Sequence, residues 1–492
     1  MTETAKKKRG MPSSFTILLA LLAIVAVVTV IVSGTSGGAV TAARLSDFCT
    51  APIKGFADAL PVCLFVMILG GFLGMMTETG ALDNGIAVLV QKLKGNEIML
   101  IPVLMLIFSL GGTTYGMCEE TVPFYALLAA TMMAAGFDPM VGAATVLLGA
   151  GCGCLGSTVN PFAVGAAVDA LTGVDIAVNQ SIIIGLGAVL WIVTTAMSIV
   201  FVMNYAKKVK ADKGSTILSM QELKDAEEAH GKAASEVHKE VKLTGRQKGV
   251  LIAFAFTFVV MIVGFIPLAD LNEGVANFFD AGAVYDADGN AIVQGWSALI
   301  TGLPIGQWYF DEASTWFFLM AILIGIIGGL SEKQIVNTFI TGAADMMSVV
   351  LVIALARGIS VLMASTGLDV FVLDAAANAL AGLSGVIFAP MSFLVYFGLS
   401  FLIPSTSGMA TVSMPIMGPL AVKLGFSPEV MVMIFSAAIG VVNLFTPTSG
   451  AIMGGLALAK IEWTTWLKFA LKLIVALSVV CAVILTVACV LI

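Results

Sequence analysis

The chain has 492 residues, 59% of them hydrophobic and 11% charged, with a formal net charge of -7. Soluble domains carry about 25% charged residues, so this composition excludes them and points to a polytopic membrane protein. Seven cysteines form no CxxC pair, and both histidines, His230 and His238, sit in one polar loop, so no histidine is expected in an intramembrane relay or metal site.

In chain order, Lys6-Lys-Lys-Arg9 precedes an apolar run at 15–33, read as a first span rather than a signal peptide. A second span covers 60–78. The runs 97–110 and 121–135 are short for a full crossing, so 97–135 is expected to be a re-entrant hairpin with its tip at Gly111 to Glu120. The crossing 140–172 is broken at Gly156-Ser-Thr-Val-Asn-Pro161, and a span at 181–206 follows. Residues 207–248 hold ten Lys or Arg and seven acidic residues, which reads as a mobile cytoplasmic linker with a helix within 219–239. An extra span covers 249–266. Segment 267–313 has seven acidic residues and no Lys or Arg, which makes it external. Residues 314–492 then hold a second hairpin at 384–421, a second broken helix at 428–459 and a last span at 466–490.

The two halves repeat one another. Gly55-Phe-Ala-Asp58 leads to Thr79-Gly80, and Gly342-Ala-Ala-Asp345 leads to Thr366-Gly367, with nine identities over 26 residues at an offset of 287. Basic residues orient span 60–78 inwards and 347–364 outwards, so the repeats (1–206 and 314–492) are expected to be inverted. The expected fold class is an all-α polytopic membrane protein with two inverted repeats. Each repeat would contain a re-entrant hairpin and a broken transmembrane helix. This places the N-terminus in the cytoplasm and the C-terminus outside.

Breaks in matching positions of two halves point to a transporter's binding site. Broken helices expose carbonyls, amides and hydroxyls, here at Ser157, Thr158, Asn160, Asn443, Thr446, Thr448 and Ser449. The hairpin tips add Thr113 and Thr114 in one half and Ser405, Thr406 and Ser407 in the other. Glu119 and Glu120 follow the first tip. An intramembrane carboxylate costs about 2.5–3.5 kcal/mol on insertion scales, so the pair is read as facing a cationic ligand group or a proton. Arg357 lies mid-span and either pairs with a buried carboxylate or binds a substrate carboxylate. Sodium is a candidate ion at Ser157, Asn160, Thr446 and Ser449. Gly151-Cys-Gly-Cys-Leu-Gly156 matches a dinucleotide fingerprint, but in an apolar helix it reads as close helix packing.

The runs Gly-Gly-Thr-Thr-Tyr-Gly-Met-Cys-Glu-Glu-Thr-Val-Pro-Phe (111–124) and Gly-Ser-Thr-Val-Asn-Pro-Phe (156–162), with Ala-Arg-Gly-Ile-Ser (356–360), resemble the YfcC-like family. That family belongs to the C4-dicarboxylate uptake C group of bacterial carriers, within the ion transporter superfamily. The resemblance covers essentially the whole chain. It implies a homodimer, a scaffold with an elevator-like transport domain, and a site between hairpin tips and broken helices. Substrates in these relatives include basic amino acids, exchanged for related amines, and dicarboxylates. Relatives in the wider superfamily bind sodium at Ser-Asn-Thr tips, where this chain has Gly-Thr-Thr at 112–114 and Pro-Ser-Thr-Ser at 404–407.

The expected function is secondary active transport of small, charged, amino-acid-like metabolites across the bacterial inner membrane. Basic amino acids such as arginine and ornithine are favoured by the carboxylate pair. The alternative is an ion-coupled carrier of C4-dicarboxylates or other organic anions; an ion channel fits less well. No cofactor is implied beyond a coupling sodium ion or proton. The expected partners are the substrate, membrane lipid and a second copy of the chain. Neither an enzymatic activity nor a nucleic-acid partner is expected.

Overall fold

A computed structural model describes residues 14–492 except 83, 86–87, 89–95, 237–241, 267, 269–272, 287–290 and 404. Lys6 to Arg9, Lys92, Lys94, His238 and Pro404 therefore lie outside the described residues. The first half contains α1 (Ser14–Ser33), α2 (Leu45–Asp58), α3 (Leu60–Glu78), α4 (Leu100–Tyr115), α5 (Val122–Ala134), α6 (Pro139–Leu155), α7 (Ala166–Thr172) and α8 (Gln180–Ala211). Between the halves come α9 (Met220–Glu236), α10 (Gly245–Phe265), α11 (Glu273–Phe279) and a small antiparallel ribbon of β1 (Val284–Tyr285) and β2 (Ala291–Val293). The second half contains α12 (Phe310–Gly328), α13 (Glu332–Asp345), α14 (Met347–Thr366), α15 (Leu368–Leu380), α16 (Gly385–Leu402), α17 (Thr406–Lys423), α18 (Pro428–Val442), α19 (Gly450–Leu458) and α20 (Trp463–Leu491). Eight helical segments among the described residues are long and apolar enough to cross a membrane. The protein is an all-α polytopic membrane protein.

The repeat is visible in the elements themselves. Helices α2 and α13 are both 14 residues long and start 287 residues apart. Packing is reciprocal: α2 lies along α14, and α13 along α3. Glycines set these contacts. A Cβ on Gly55 would come 2.3 Å from Gly358 N, and one on Gly342 would come 2.4 Å from Gly70 O and 3.0 Å from Gly71 Cα. Cys63 and Val350, equivalent positions, meet directly, with Sγ 3.8 Å from the carbonyl oxygen. Around these helices α1, α10 and α12 complete one group.

The second group is built on α6 and α18, which are buried over nearly their whole length. Apolar residues all round a helix demand burial on every side. Both start with the same device, a side-chain cap followed by proline. Asp138 accepts from Val141 N at 3.1 Å before Pro139, and Ser427 accepts from Val430 N at 3.4 Å before Pro428. Such capping contributes about 1 kcal/mol. Helix α4 packs on α6, and α16 on α18.

Two boundaries and the linker differ from the sequence expectation. Gly111-Gly-Thr-Thr does not break the first hairpin; α4 runs on to Tyr115. The glycines serve crossing instead: a Cβ on Gly112 would lie 2.2 Å from Ala150 O, and one on Gly153 2.2 Å from Ser109 O. Helix α12 begins at Phe310, inside the segment read as external to 313. The expected mobile linker holds a docked helix. Helix α9 packs on α5, its Glu222 Oε1 accepts from Glu462 N at 2.9 Å, and His230 Nε2 meets Leu458 O at 3.0 Å. Its polar composition hid a face that is used.

Candidate functional site

The first tip turns at Gly116, which has φ 79° and abuts Asn160; a Cβ there would lie 2.5 Å from Asn160 Oδ1. Only glycine adopts that conformation without cost, and nothing larger fits beside Asn160. Asn160 in turn organises the first break. Its Oδ1 accepts from Phe162 N at 2.9 Å and Ala163 N at 3.3 Å, and its Nδ2 donates to Ser157 Oγ at 2.9 Å. The half-helix that follows starts with a π turn at Pro161–Gly165 before α7. Thr158 N and Oγ1 both donate to Thr113 O, at 2.9 and 3.0 Å, while Thr113 Oγ1 donates to Gly156 O at 2.6 Å. Tip and break are thus joined through backbone groups that each helix end leaves unpaired.

The second break is closed differently. The indole N–H groups of Trp463 and Trp466 on α20 donate to Phe445 O at 2.7 Å and Leu444 O at 2.9 Å. Thr446 and Thr448 share a 2.7 Å hydroxyl contact. Ser449 precedes α19 without a side-chain cap, so the amides of its first turn keep their capacity to meet an anion.

Between the tips and breaks lies a cavity of about 170 Å³. Ten of the fifteen residues singled out in the sequence line it: Glu119, Glu120, Asn160, Arg357, Ser405, Thr406, Ser407, Asn443, Thr448 and Ser449. Four of the others, Thr113, Ser157, Thr158 and Thr446, stand behind the wall and hold the loops together. Thr114 does not line it either; its Oγ1 donates to Leu110 O at 2.6 Å. Of the candidate sodium residues, Asn160 and Ser449 line the cavity, but Ser157 and Thr446 do not. The carbonyls expected to be free are largely taken, by threonine and serine hydroxyls in one half and tryptophan indoles in the other.

The two carboxylates are not equivalent. Glu120 is 1% exposed, and its Oε2 accepts from Cys118 N at 3.0 Å, tying it to the tip. Glu119 is less buried on the same wall. Arg357 forms an ion pair with Asp58, Nε to Oδ2 at 2.9 Å. Sequence reasoning did not find the other wall residues, among them Tyr125, Cys154, Phe162, Phe310, Ile353 and Ser436. Phe162 stacks on Phe310 with centroids 5.2 Å apart. Phe162 and Cys154 flank the Ser157–Pro161 break, which was the available signal for both.

Comparison with known proteins gives the family. The family model described as the C4-dicarboxylate anaerobic carrier, DcuC, matches residues 39–490. The chain belongs to this carrier family. A protein of Haemophilus influenzae is 28% identical over 445 residues, covering 90% of this chain and 78% of its own length. The "Putative basic amino acid antiporter YfcC" of Escherichia coli is 27% identical over 440 residues, covering 87% and 77%. Among solved structures, MtrF of Neisseria gonorrhoeae, described as illuminating a class of antimetabolite efflux pumps, aligns at TM-score 0.44 and 17% identity over 98% of this chain and 96% of its own. The YdaH transporter of Alcanivorax borkumensis aligns at TM-score 0.46 and 15% identity over 97% and 98%. The cavity contains acidic, basic and hydroxyl groups within a membrane-spanning fold.

Proposed function

We propose that this carrier is a secondary active transporter of small, charged, amino-acid-like metabolites, with basic amino acids such as arginine and ornithine preferred. The observation that carries the reading is the set of opposite charges on one small cavity: Glu119 and Glu120 on the first tip, Arg357 on α14. A cationic side chain meets Glu119. The α-carboxylate meets Arg357 and the uncapped start of α19, where helix dipole and side-chain charge act together. At about 170 Å³ the cavity is below the roughly 300–1,000 Å³ of drug-sized sites, which suits a single metabolite.

Alternating access by an elevator-type movement of the α4–α8 and α16–α20 group against the other, as a homodimer in the inner membrane, is part of this proposal. So is inversion of the repeats. It is supported by how the ends sort. Gln247 joins the Thr79 and Gly80 carbonyls at 3.4 and 3.3 Å, on the side of the basic loops. Thr41 N joins the Thr366 carbonyl at 2.9 Å, after α14. Helices α3 and α14 then end on opposite faces, the basic one being cytoplasmic.

A second reading, C4-dicarboxylate transport, is favoured by Arg357, the start of α19 and the description of the family itself. Thermal-shift titration of the purified carrier with arginine, ornithine, succinate and fumarate, with and without sodium, separates the two. Stabilisation by the amino acids alone supports the first, and by the dicarboxylates alone the second. Saturable counterflow in proteoliposomes distinguishes either from a channel.

A further inference from the structure

A second cavity of about 670 Å³ lies on the α9 side of the molecule, lined by Glu78, Asp345, His230, Met346 and Leu458 among others. Between it and the charged cavity sits a small apolar cluster separate from the main core. Cys63 and Val66 of α3 and Val349 and Val350 of α14 face Val122 of α5 and Ala451 of α19. Its members reach both spaces. Ala451 lines the charged cavity, as do Val62, Cys118 and Ile353 packed against the cluster. Met346 of the cluster, and Leu458 packed on it, line the second cavity.

We propose that this cluster is the gate that seals the substrate cavity from the vestibule on the α9 side. The proposal rests on the transporter reading above and adds where the path is closed. Three features support it. Both cavities carry charged side chains on their walls, Glu119, Glu120 and Arg357 in one and Glu78 and Asp345 in the other, and the cluster carries none, so a charged solute cannot pass without the cluster parting; apolar constrictions gate by excluding water. Each side of the cluster comes from a different helix group, α3 and α14 from one, α5 and α19 from the other. The contact between them is smooth. Gly450 and Gly454, one turn apart on α19, meet Ile353 and Val349, one turn apart on α14, where added Cβ atoms would come within 2.3 and 2.7 Å. No hydrogen bond joins α3 and α14 to α5 and α19 among the described residues. A surface held by van der Waals contact alone separates without leaving buried polar groups unpaired.

Cys63, fully buried in the cluster, is a reporter already in place. Wild-type carrier in proteoliposomes is treated with N-ethylmaleimide and labelling is read for each cysteine peptide by mass spectrometry. With the gate closed, Cys63 should label at least about tenfold more slowly than exposed Cys49. Val66→Asn, which brings a polar group into the cluster, should raise Cys63 labelling about tenfold or more and open a leak of charged solute. Buried Cys152 should stay unlabelled, which reports that the fold is intact; if it reacts, the milder Val66→Ser takes the place of Val66→Asn. Cys63 labelling as fast as Cys49 in wild type would overturn the gate. So would a folded variant with wild-type labelling and no leak. If binding tests find no ligand while Cys63 behaves as expected, the function reading fails and the seal stands.

Discussion

Arg357 reaches Asp58 across the repeat boundary, Nε to Oδ2 at 2.9 Å, and the equivalent pair does not exist in the other half. The counterpart of Asp58 is Asp345, and the counterpart of Arg357 is Gly70; both line the vestibule instead. The asymmetry marks Arg357 as something the fold does not require. Arg357 keeps 25% and Asp58 51% of its side-chain surface exposed, so the pair is not sealed in the core and the guanidinium still reaches the cavity.

Arg357→Gln should therefore lower substrate affinity about 10- to 150-fold, the equivalent of a charge-assisted hydrogen bond of ~1.5–3 kcal/mol. Asp58→Asn should leave affinity unchanged or raise it, because it releases the guanidinium. Isothermal titration with the stabilising ligand measures both. Equal losses of thermal stability in the two variants, with binding intact, would make the pair a structural strut.

Glu119 and Glu120 should separate in the same way. Glu119→Gln should weaken binding of arginine and ornithine by about 1.5–3 kcal/mol if its charge meets the substrate cation. Glu120→Gln should act on the tip that its carboxylate ties to Cys118 N, lowering the melting temperature more than affinity. Succinate bound equally or better by Glu119→Gln, with arginine unaffected, would favour the dicarboxylate reading. Exchange that survives in Glu119→Gln while proton-driven accumulation is lost would make Glu119 the proton carrier.

Much of this architecture was legible in the sequence. Composition and hydropathy gave the all-α polytopic fold, because a membrane leaves the backbone few alternatives. Ten of the expected site residues meet at one cavity. What stayed hidden was who satisfies whom. That Thr113 would take the Gly156 carbonyl, or Trp463 the Phe445 carbonyl, depends on contacts 43 and 18 residues apart that no local pattern encodes. The docking of α9 was hidden for the same reason, since burial of Glu222 and His230 is set by partners near Leu458 and Glu462.

The first tip offers a backbone test. Gly116→Ala forces a side chain into a left-handed conformation, costing about 1–2 kcal/mol, and drives Cβ against Asn160. It should reduce both stability and affinity, since Asn160 caps the half-helix at the cavity. Thr446→Ala, behind the wall, should leave affinity within about twofold, an order-of-magnitude bound for a residue without ligand contact. Loss of binding in Thr446→Ala would draw the second break further into the site.

Sidedness can be read with single cysteines. Met220 at the start of α9 and Leu299 after the ribbon are 73% and 71% exposed. In intact cells an impermeant maleimide should label Leu299→Cys and spare Met220→Cys. The reverse pattern would turn the molecule over and place the gate on the external face.

The docked linker helix makes the last prediction, a pH dependence outside the membrane. Burial pushes His230 below its ordinary pKa, Lys460 nearby adds to the shift, and the bond to the Leu458 carbonyl opposes it. A depressed folded pKa means that the neutral ring is the form that fits. Docking is therefore fully present above the ordinary value of 6.5 and is lost as pH falls below that towards the lowered folded value. Hydrogen exchange over 220–231 should be slow at pH 7.5 and accelerate on acidification, with α6 and α18 unchanged. His230→Gln keeps a donor for Leu458 without a titrating ring, so the acceleration should shrink in that variant. If wild type and variant accelerate equally, the acid response does not belong to His230.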